Sequence, residues 1–405
     1  MIVLSLAARN LWRNRRRTLI ALAALVIGSF MVVLLEGFRN GVTDLITEGM
    51  VKAQVGAFQV HKRGYVEKSG ASPLSFAMAD TPELRRRVLS VPGVEALAPR
   101  VSTFGMATSK DRSSLVAVLA ADPVVEDQAF PLARRFIAGT NLADSKLPNG
   151  AVLGGILMTN LGLAQGDSFT LSAQTPEGQS NALDLQLEGW VPMLDPFSAK
   201  RLLAMPLAYA QRLLRMEGRV TEYAVQVKDL RRIDETAAAV RQALGAEYEV
   251  HTWLELQPMF RDLIRRQRYV LSMVTLVLLA IVLTGIVNVM AMSVYERIRE
   301  IGTELALGMR RRQILMLFLL EGGLLGLWGG LGGTLLGWAT VAVASRVGIP
   351  FKAPGSSGTL PMHPSMTPLF AGMVVLVAVV GAVGAALYAA RRASRLRPAE
   401  ALRAL

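Results

Sequence analysis

The 405-residue sequence contains no cysteine, only three histidines and few charged side chains. Without cysteine there are no disulfide bonds, so any folded domain has to be stable through its core alone. A segment of about 230 residues is long enough to bury such a core. Charged residues make up 19% of the chain, against about 25% in an average soluble domain. This deficit indicates long apolar segments.

The sequence also lacks motifs for catalysis and nucleotide binding. His61, His251 and His363 are scattered, and apart from a weak His251/Glu255 pair none has a partner at metal-ligand spacing. No G-x-S-x-G nucleophile motif occurs. The absence of any Gly-Lys dipeptide excludes a G-x-x-x-x-G-K-[ST] phosphate-binding loop. We therefore expect no metal, no bound cofactor and no catalytic residue in this chain.

Four long apolar runs dominate the sequence. A bilayer core about 30 Å thick needs about 20 apolar residues of helix, and lipid offers no partner for an unpaired backbone group. The runs therefore predict an α-helical membrane protein with four transmembrane helices, plus a mixed α/β extracytoplasmic domain between the first and second spans. The predicted segments are an interfacial segment (1–17), four transmembrane helices (18–36, 269–294, 314–345 and 367–390), an extracytoplasmic domain with stalk helices (37–268), a cytoplasmic coupling loop (295–313), a short outer loop (346–366) and a cytoplasmic tail (391–405).

Arginine marks one side of the predicted membrane. Five arginines lie in each of 1–17, 295–312 and 391–405, and they supply most of the net charge of +13. Short arginine-rich segments stay in the cytoplasm, so both termini and the 295–312 loop are expected inside and the large domain outside. The basic excess is thus a topology signal, and no nucleic-acid partner is expected. The first apolar run is too long for a signal peptide, so we expect an uncleaved helix.

The domain between the first and second spans carries both helix and strand signals. Thr81-Pro82-Glu83 predicts a helix start, because a capping hydroxyl, a proline at the first position and an early acid all favour one. Strands are expected at 95–108 and 114–121, and helices at 200–216 and 233–244. The domain is therefore predicted to be mixed α/β.

The third span holds a glycine-rich stretch and one carboxylate. Glycines four residues apart let another helix backbone approach closely in lipid, and a helix break near Gly329-Gly330 is the alternative. Glu321 in this span and Asn288 in the second are intramembrane polar residues. Each fits a role in helix packing or interhelical hydrogen bonding, and a substrate or proton role stays open for both. The predicted packing residues are Gly322, Gly326, Gly330, Gly333 and Gly337.

Residues 295–309 read YERIREIGTELALGM, and Glu321-Gly322 follows in the third span. This stretch resembles the FtsX-like permease pattern E-R-x-x-E-I-G-x-x-x-A-L-G followed by F-x-x-E-G. Residues 8–18 and 397–403 are similar to the start and end of the same family. The 56–64 stretch resembles its lipoprotein-releasing (LolC/LolE-like) branch, with a MacB-type outer domain. Many members have an arginine just before Ala-Leu-Gly, where this sequence has Glu304-Leu305.

The resemblance implies a permease of a mechanically coupled ABC transporter. A separate ABC ATPase subunit would bind ATP and magnesium, dock on the cytoplasmic loop and move the stalks and the outer domain. An apolar stripe along the loop, which includes Ile298, supports a docking role because such a stripe needs a partner; a solvated topology anchor is the alternative. The residues implied in ATPase coupling are Glu296, Arg297, Glu300, Ile301, Gly302, Leu305, Gly308 and Met309.

For the function, the resemblance implies extraction of lipoproteins from the bacterial inner membrane toward the outer membrane. MacB-type efflux of peptides or small molecules stays open, although such chains usually carry a fused ATPase. Regulation of a cell-wall hydrolase, as by FtsX, also stays open, although FtsX-type outer domains are much shorter. Four spans are too few to enclose an acylated substrate, so a second permease chain is expected, as a homodimer or related heterodimer. The apolar stretches 26–35 and 270–282 would line the path of a lipoprotein or lipid-like substrate beside membrane lipid.

Overall fold

The chain folds into two compact units. A computed structural model describes residues 15–68, 73–191, 196–296, 303, 309, 311–351 and 360–394. The membrane unit comprises Met1–Thr43, Ile264–Ile349 and Pro361–Leu405. The outer unit comprises Asp44–Leu263 and Pro350–Leu360. Each unit therefore combines segments that are far apart in the sequence.

Long helices make up most of the membrane unit, and short helices alternate with strands in the outer unit. The described α-helices are α1 (Arg15–Met50), α2 (Tyr65–Lys68), α3 (Pro82–Leu89), α4 (Pro123–Ala129), α5 (Gly155–Leu161), α6 (Pro196–Arg201), α7 (Leu207–Leu214), α8 (Ile233–Leu244), α9 (Trp253–Leu256), α10 (Pro258–Glu296), α11 (Arg311–Val347) and α12 (Pro368–Ser394). The described strands are β1 (Phe58–Lys62), β2 (Met78–Ala79), β3 (Val94–Ser109), β4 (Arg112–Ala121), β5 (Ala138–Gly139), β6 (Gly150–Gly154), β7 (Ser168–Gln174), β8 (Ser180–Val191), β9 (Leu202–Pro206), β10 (Arg219–Val220), β11 (Glu222–Val227), β12 (Tyr248–Thr252), β13 (Ile349–Phe351) and β14 (Leu360–Met362).

Helices α1, α10, α11 and α12 are long and apolar enough to cross a membrane. Each satisfies its own backbone hydrogen bonds, as a lipid environment requires. Helices α1 and α10 have 36 and 39 residues, well beyond the about 20 that a bilayer needs, and both contribute residues to each unit. The predicted four-helix membrane protein is confirmed.

A ten-stranded mixed sheet forms the centre of the outer unit. The strand order is β12-β1-β11-β3-β4-β9-β6-β8-β5, and β7 pairs with both β3 and β8. The β4–β9 and β6–β8 pairs are parallel, whereas β3 and β4 form a long antiparallel hairpin. The predicted mixed α/β domain between the first and second spans is confirmed.

Local capping explains where the short helices begin. The Thr81 hydroxyl accepts a hydrogen bond from the Leu84 N–H at 3.3 Å and caps α3. The Asp122 carboxylate caps α4 by accepting hydrogen bonds from the N–H groups of Val124 and Val125 at 3.0 and 3.2 Å. Such side chains satisfy backbone donors that the first turn of a helix leaves unpaired. The helix start predicted at Thr81 is confirmed.

The single helix predicted over 200–216 is wrong. Helix α6 ends at Arg201, strand β9 occupies Leu202–Pro206, and α7 begins at Leu207. Strand β9 pairs with β4 on one side and with β6 on the other, and its Leu203 and Met205 side chains are buried. Backbone pairing inside the sheet thus overrides the helical spacing of the apolar residues.

Candidate functional site

The residues implied in ATPase coupling lie at the end of α10 and beyond it. Glu296 is the last residue of α10. Met309 packs, partly buried, against a cluster in the membrane unit that includes Ile286 and Phe318. Part of its apolar surface is therefore covered within the chain. The remaining residues of this set, Arg297, Glu300, Ile301, Gly302, Leu305 and Gly308, lie outside the described residues.

The glycines of α11 face two different helices. A Cβ added at Gly326 would lie 2.8 Å from the Ala378 carbonyl oxygen of α12. On another side, a Cβ added at Gly337 would lie 2.6 Å from the Val33 Cγ1 of α1. Helix α11 is continuous from Arg311 to Val347, so the alternative of a helix break near Gly329-Gly330 is wrong. Gly322 and Gly330 share the α12 side, and Gly329 and Gly333 share the α1 side.

The two intramembrane polar residues have different surroundings. Glu321 on α11 is only 3% exposed, which places its side chain among protein atoms. Asn288 on α10 is exposed on the surface of the chain. A carboxylate in a membrane helix usually faces protein or water rather than lipid, and the burial of Glu321 fits that rule.

The two stretches predicted to line a substrate path also differ. Val33 of α1 is fully buried in a cluster with Val341 and Val374, so this residue is not available to a substrate. Ile27 and Met31 of the same stretch are exposed, and a substrate path along 26–35 stays a prediction. Helix α10, in contrast, leaves most of its apolar surface uncovered within the chain, and Leu276 is 61% exposed. The other large exposed apolar residues of this helix segment are Tyr269, Val270, Met273, Val274, Val277 and Ile281.

The outer unit contains a cavity of about 500 Å³, which we call the outer cavity. Its floor is formed by β3, β4 and β9 of the sheet, and its walls include α4 and the 3₁₀ turn Ala133–Phe136. Apolar side chains line most of it. Arg100, Glu126 and Glu222 lie together in one part of the lining, which we call the polar end. The apolar lining includes Phe104, Leu119, Phe130, Ile137, Leu142, Val152 and Leu202.

Arg100 of β3 lies at the polar end of the outer cavity and is 1% exposed. Its Nε donates to Glu126 Oε2 at 3.1 Å, and its Nη2 donates to the other oxygen of the same carboxylate. Its Nη1 donates to the Gln54 carbonyl oxygen at 2.6 Å, and the guanidinium lies 4.2 Å from the Phe130 ring centroid. A buried guanidinium needs such a complete set of partners, because an unpaired buried charge is very costly.

Strand register places two further titratable residues beside Arg100. Glu222 of β11 is directly opposite Arg100 on one side and His61 of β1 on the other. Ser102 Oγ donates to Glu222 Oε1 at 3.1 Å, and burial raises the pKa of Glu222, against the opposing effect of Arg100. The cross-strand row therefore holds a buried base, a buried acid and a buried guanidinium.

His61 is fully buried and stacks on the Tyr65 ring at a centroid distance of 4.2 Å. Its Nδ1 lies 3.4 Å from the Thr221 carbonyl oxygen, and its Nε2 has no hydrogen-bond partner among the described residues. Burial lowers the pKa of His61 to about 4. Burial also raises the pKa of Tyr65, so both rings are neutral at neutral pH.

Arg134 and Asp127 also line the outer cavity, in a part that we call its rim. Arg134 Nε donates to Asp127 Oδ1 at 3.1 Å, and its Nη2 donates to Asp144 Oδ1 at 2.7 Å. Among the residues that the structure describes, no three histidine or acidic side chains gather as a metal site. The chemistry available to the outer cavity is therefore apolar contact combined with charge pairing.

The sequence analysis does not predict the outer cavity. One available signal was Arg100, a lone charge within an otherwise apolar and small-residue stretch of a predicted strand. Its partner Glu126 follows on the next helix, but Glu222 is more than 120 residues away. The register of β3 with β11 is what brings Glu222 opposite this guanidinium.

Two family models match the chain. The MacB-like periplasmic core domain matches residues 18–243, more than half of the chain. The FtsX-like permease C-terminal model matches residues 272–398. The chain belongs to the MacB-like, FtsX-type permeases. This permease is accordingly a multi-pass inner-membrane protein, and its outer unit is a periplasmic domain.

Two related export proteins align with nearly the whole permease. It is 25% identical over 416 residues to the macrolide export ATP-binding/permease protein MacB of Sodalis glossinidius, covering 98% of this chain and 60% of that protein. It is 27% identical over 427 residues to the pyoverdine export ATP-binding/permease protein PvdT of Pseudomonas fluorescens, covering 98% and 58%. The permease thus spans about three fifths of the length of these relatives.

Two solved structures similar to the permease are a periplasmic region and an extracellular domain. The periplasmic region of MacB from Actinobacillus actinomycetemcomitans has 8% identity and a TM-score of 0.34, covering 51% of this chain and 92% of that one. The extracellular domain of the ABC-type transporter YknZ from Gram-positive bacteria has 11% identity and a TM-score of 0.33, covering 48% and 99%.

Proposed function

We propose that this permease is the membrane subunit of a mechanically coupled ABC exporter that moves an amphipathic substrate out of the inner membrane. The observation that carries the proposal is the alignment of 98% of the chain with macrolide and pyoverdine exporters. Helices α1 and α10 extend beyond the length of a membrane span. Such continuous helices are suited to transmit movement between the membrane and the periplasmic domain.

The proposal assigns ATP hydrolysis to a separate ABC ATPase subunit, which binds ATP and magnesium. The permease sequence itself contains no Gly-Lys dipeptide and hence no phosphate-binding loop of the usual pattern. The ATPase docks on the coupling loop 295–313, where Ile301 and Leu305 supply apolar contacts. Met309 contributes less to this docking surface than the sequence suggests, because it packs against the membrane unit.

A second permease chain completes the proposed transporter. The α10 surface supports this part of the proposal, because its exposed side chains, such as Met273 and Leu276, are apolar. An apolar helix face in a membrane is covered either by lipid or by another helix. Two such faces, one from each chain, would border a path that amphipathic molecules enter sideways from the bilayer.

The substrate class we favour is a small amphipathic molecule or peptide, as in MacB-type export, because the named relatives are exporters of that kind. Lipoprotein release is the second candidate. The exposed α10 face favours it, since this face carries no charge between Tyr269 and Ile281 to guide a polar solute. Both candidates share an apolar entry path and differ in what the cell loses without the permease.

The test combines site-specific photo-crosslinking with depletion. A photo-crosslinking residue at Leu276, which is 61% exposed, should capture an amphipathic molecule in cells when ATP hydrolysis is blocked. The same residue at Val33, which is 0% exposed, is the matched control and should capture only neighbouring helices. Depletion should raise sensitivity to amphipathic antibiotics.

The outcomes separate the candidates. Increased antibiotic sensitivity with normal lipoprotein localisation supports MacB-type export. Lipoproteins captured at Leu276 and retained in the inner membrane after depletion establish the second candidate instead. Capture of phospholipid alone at Leu276, with unchanged sensitivity and unchanged lipoprotein localisation, would overturn the transport proposal.

A further inference from the structure

The polar end of the outer cavity holds more negative than positive groups. Arg100 forms two hydrogen bonds with Glu126 and also lies directly opposite Glu222 on the neighbouring strand. One guanidinium therefore serves two carboxylates at this end. Glu222 is 4% exposed and accepts a hydrogen bond from Ser102. Burial raises the pKa of Glu222, so a positive group beside it would favour its ionised form.

The rim repeats the same imbalance. Arg134 donates to Asp127 and also to Asp144, so again two carboxylates share one guanidinium. Of these three residues, Arg134 and Asp127 line the outer cavity. Both guanidinium groups of the outer cavity are therefore already paired with carboxylates, and the fixed charges favour a ligand that brings a positive group.

The body of the outer cavity is suited to an apolar ligand of moderate size. Its volume of about 500 Å³ lies within the roughly 300–1,000 Å³ that ligand pockets usually have. Strand register places the side chains of Ser102 and Phe104 on the face of β3 that also carries Arg100, since successive residues alternate between faces. One continuous surface thus passes from the charged end to the apolar walls.

We propose that the outer cavity is a binding site for an amphipathic amine, whose ammonium group pairs with Glu222 while its apolar body lies against Phe104, Leu119 and Leu202. Arg100 provides one positive charge for two carboxylates, and the ammonium would supply a second. Hydrogen bonds between charged groups are stronger than those between neutral groups. An anionic amphiphile of the same size would place a third carboxylate beside Glu126 and Glu222. This proposal rests on the proposed export function only in that the substrate is amphipathic.

The experiment uses the full-length permease in nanodiscs and three photoactivatable alkyl-diazirine probes. The probes share one apolar chain and end in an ammonium, a hydroxyl or a carboxylate group. After irradiation, mass spectrometry maps the labelled peptides. The ammonium probe should label the walls around Leu142 and Leu202 more strongly than the other two probes do.

The Glu222→Gln variant tests the assigned ion pair. Because the variant removes the negative charge from the assigned ion pair, it should bind the ammonium probe roughly tenfold more weakly, which corresponds to about 1.4 kcal/mol. Labelling around Leu276 on the exposed face of α10 should be unchanged and reports that the membrane unit remains folded. The Ala204→Trp variant, which fills the outer cavity from β9, should reduce wall labelling by all three probes.

Each outcome bears on the proposal. Equal wall labelling by the hydroxyl and ammonium probes would overturn the amine class, and stronger labelling by the carboxylate probe would do so too. Absence of wall labelling by any probe, with α10 labelled normally, would overturn the site itself. Neither result would affect the export proposal, since the cellular capture at Leu276 does not depend on the outer cavity.

Discussion

At the residue scale, the periplasmic domain contains an ion pair that is buried rather than displayed on the surface. Arg100 is 1% exposed, and Glu126 is 22% exposed by its side chain. A buried pair of this kind is not by itself a source of stability, since desolvation offsets much of the attraction. Removing one partner is different, because the other charge is then left in an apolar environment without compensation.

We predict that Arg100→Met strongly destabilises the periplasmic domain. The substitution would leave the carboxylates of Glu126 and Glu222 without their shared guanidinium, and breaking a buried pair typically costs about 3–5 kcal/mol. Arg134→Met is the matched control, because Arg134 forms two ion pairs but its side chain is 48% exposed. Thermal unfolding of both variants should show a large loss for the first and almost none for the second. Equal losses of thermal stability in the two variants would mean that burial does not determine how much Arg100 contributes to stability.

We also predict that acid weakens this domain through His61. Burial lowers the pKa of His61 from 6.5 to about 4, so the unfolded chain takes up the proton first as the pH falls. The contribution of neutral His61 to the free energy of unfolding is therefore fully present above about pH 6.5. It decreases between there and about pH 4, by up to about 1.4 kcal/mol per pH unit. The groups that face His61 are Tyr65 of α2, Glu222 of β11, and Glu249 and His251 of β12.

His61→Phe isolates this effect, since it keeps a ring on Tyr65 and cannot be protonated. Glu222 acts in the opposite direction, because its raised pKa makes the folded state bind the proton more tightly. The contribution of Glu222 is common to both proteins, so it cancels when the free energy of unfolding of the variant is subtracted from that of the wild type at each pH. Urea unfolding from about pH 4 to pH 7 should give a flatter stability curve for the variant. An equally steep curve would assign the acid sensitivity to other groups.

At the element scale, α11 is the helix whose glycines allow close packing on both α1 and α12. The spacing of four residues was visible in the sequence, but not which helix each glycine meets. That depends on rotation of α11 between its neighbours, which sequence spacing does not specify. The structure assigns Gly326 to α12 and Gly337 to α1.

We predict that Gly326→Ala destabilises the membrane unit whereas Gly323→Ala does not. A Cβ at Gly326 would lie 2.8 Å from the Ala378 carbonyl oxygen and 2.8 Å from the Val379 Cα, and these backbone atoms move only with α12. At Gly323 the nearest atom is the Val383 Cγ2 at 3.5 Å, an ordinary contact. Thermal melting in detergent should show a lower midpoint for Gly326→Ala alone. Similar midpoints would show that α12 shifts at little cost.

The elements that the sequence predicts well are those with strong local signals. Helix α8 occupies Ile233–Leu244 as predicted, because its amphipathic spacing agrees with its tertiary role. Strand β9 at Leu202–Pro206 lies in a segment that the sequence predicts to be helical, because its pairing with the distant strands β4 and β6 leaves no local signal. The outer cavity was missed for the same reason, since its polar end depends on strand register.

At the scale of the whole molecule, charge distribution rather than packing specifies how the chain is oriented. The arginine clusters of 1–17, 295–312 and 391–405 flank apolar runs, and the large periplasmic domain separates the first from the others. Arginine-rich short segments are retained in the cytoplasm. In the proposed transporter, this orientation would present the coupling loop to an ATPase, and it places the outer cavity in the periplasmic domain.

The last prediction concerns this orientation and uses the absence of cysteine in the chain. Ser180 lies at the exposed start of β8, and Arg312 lies at the exposed start of α11. The variants Ser180→Cys and Arg312→Cys therefore each supply a single accessible thiol. A membrane-impermeant maleimide should label position 180 in intact cells and position 312 only after the inner membrane is opened. Both sites should react in detergent, which controls for accessibility. Labelling of position 312 but not 180 in intact cells would reverse the topology and remove the basis for a cytoplasmic ATPase docking on the coupling loop.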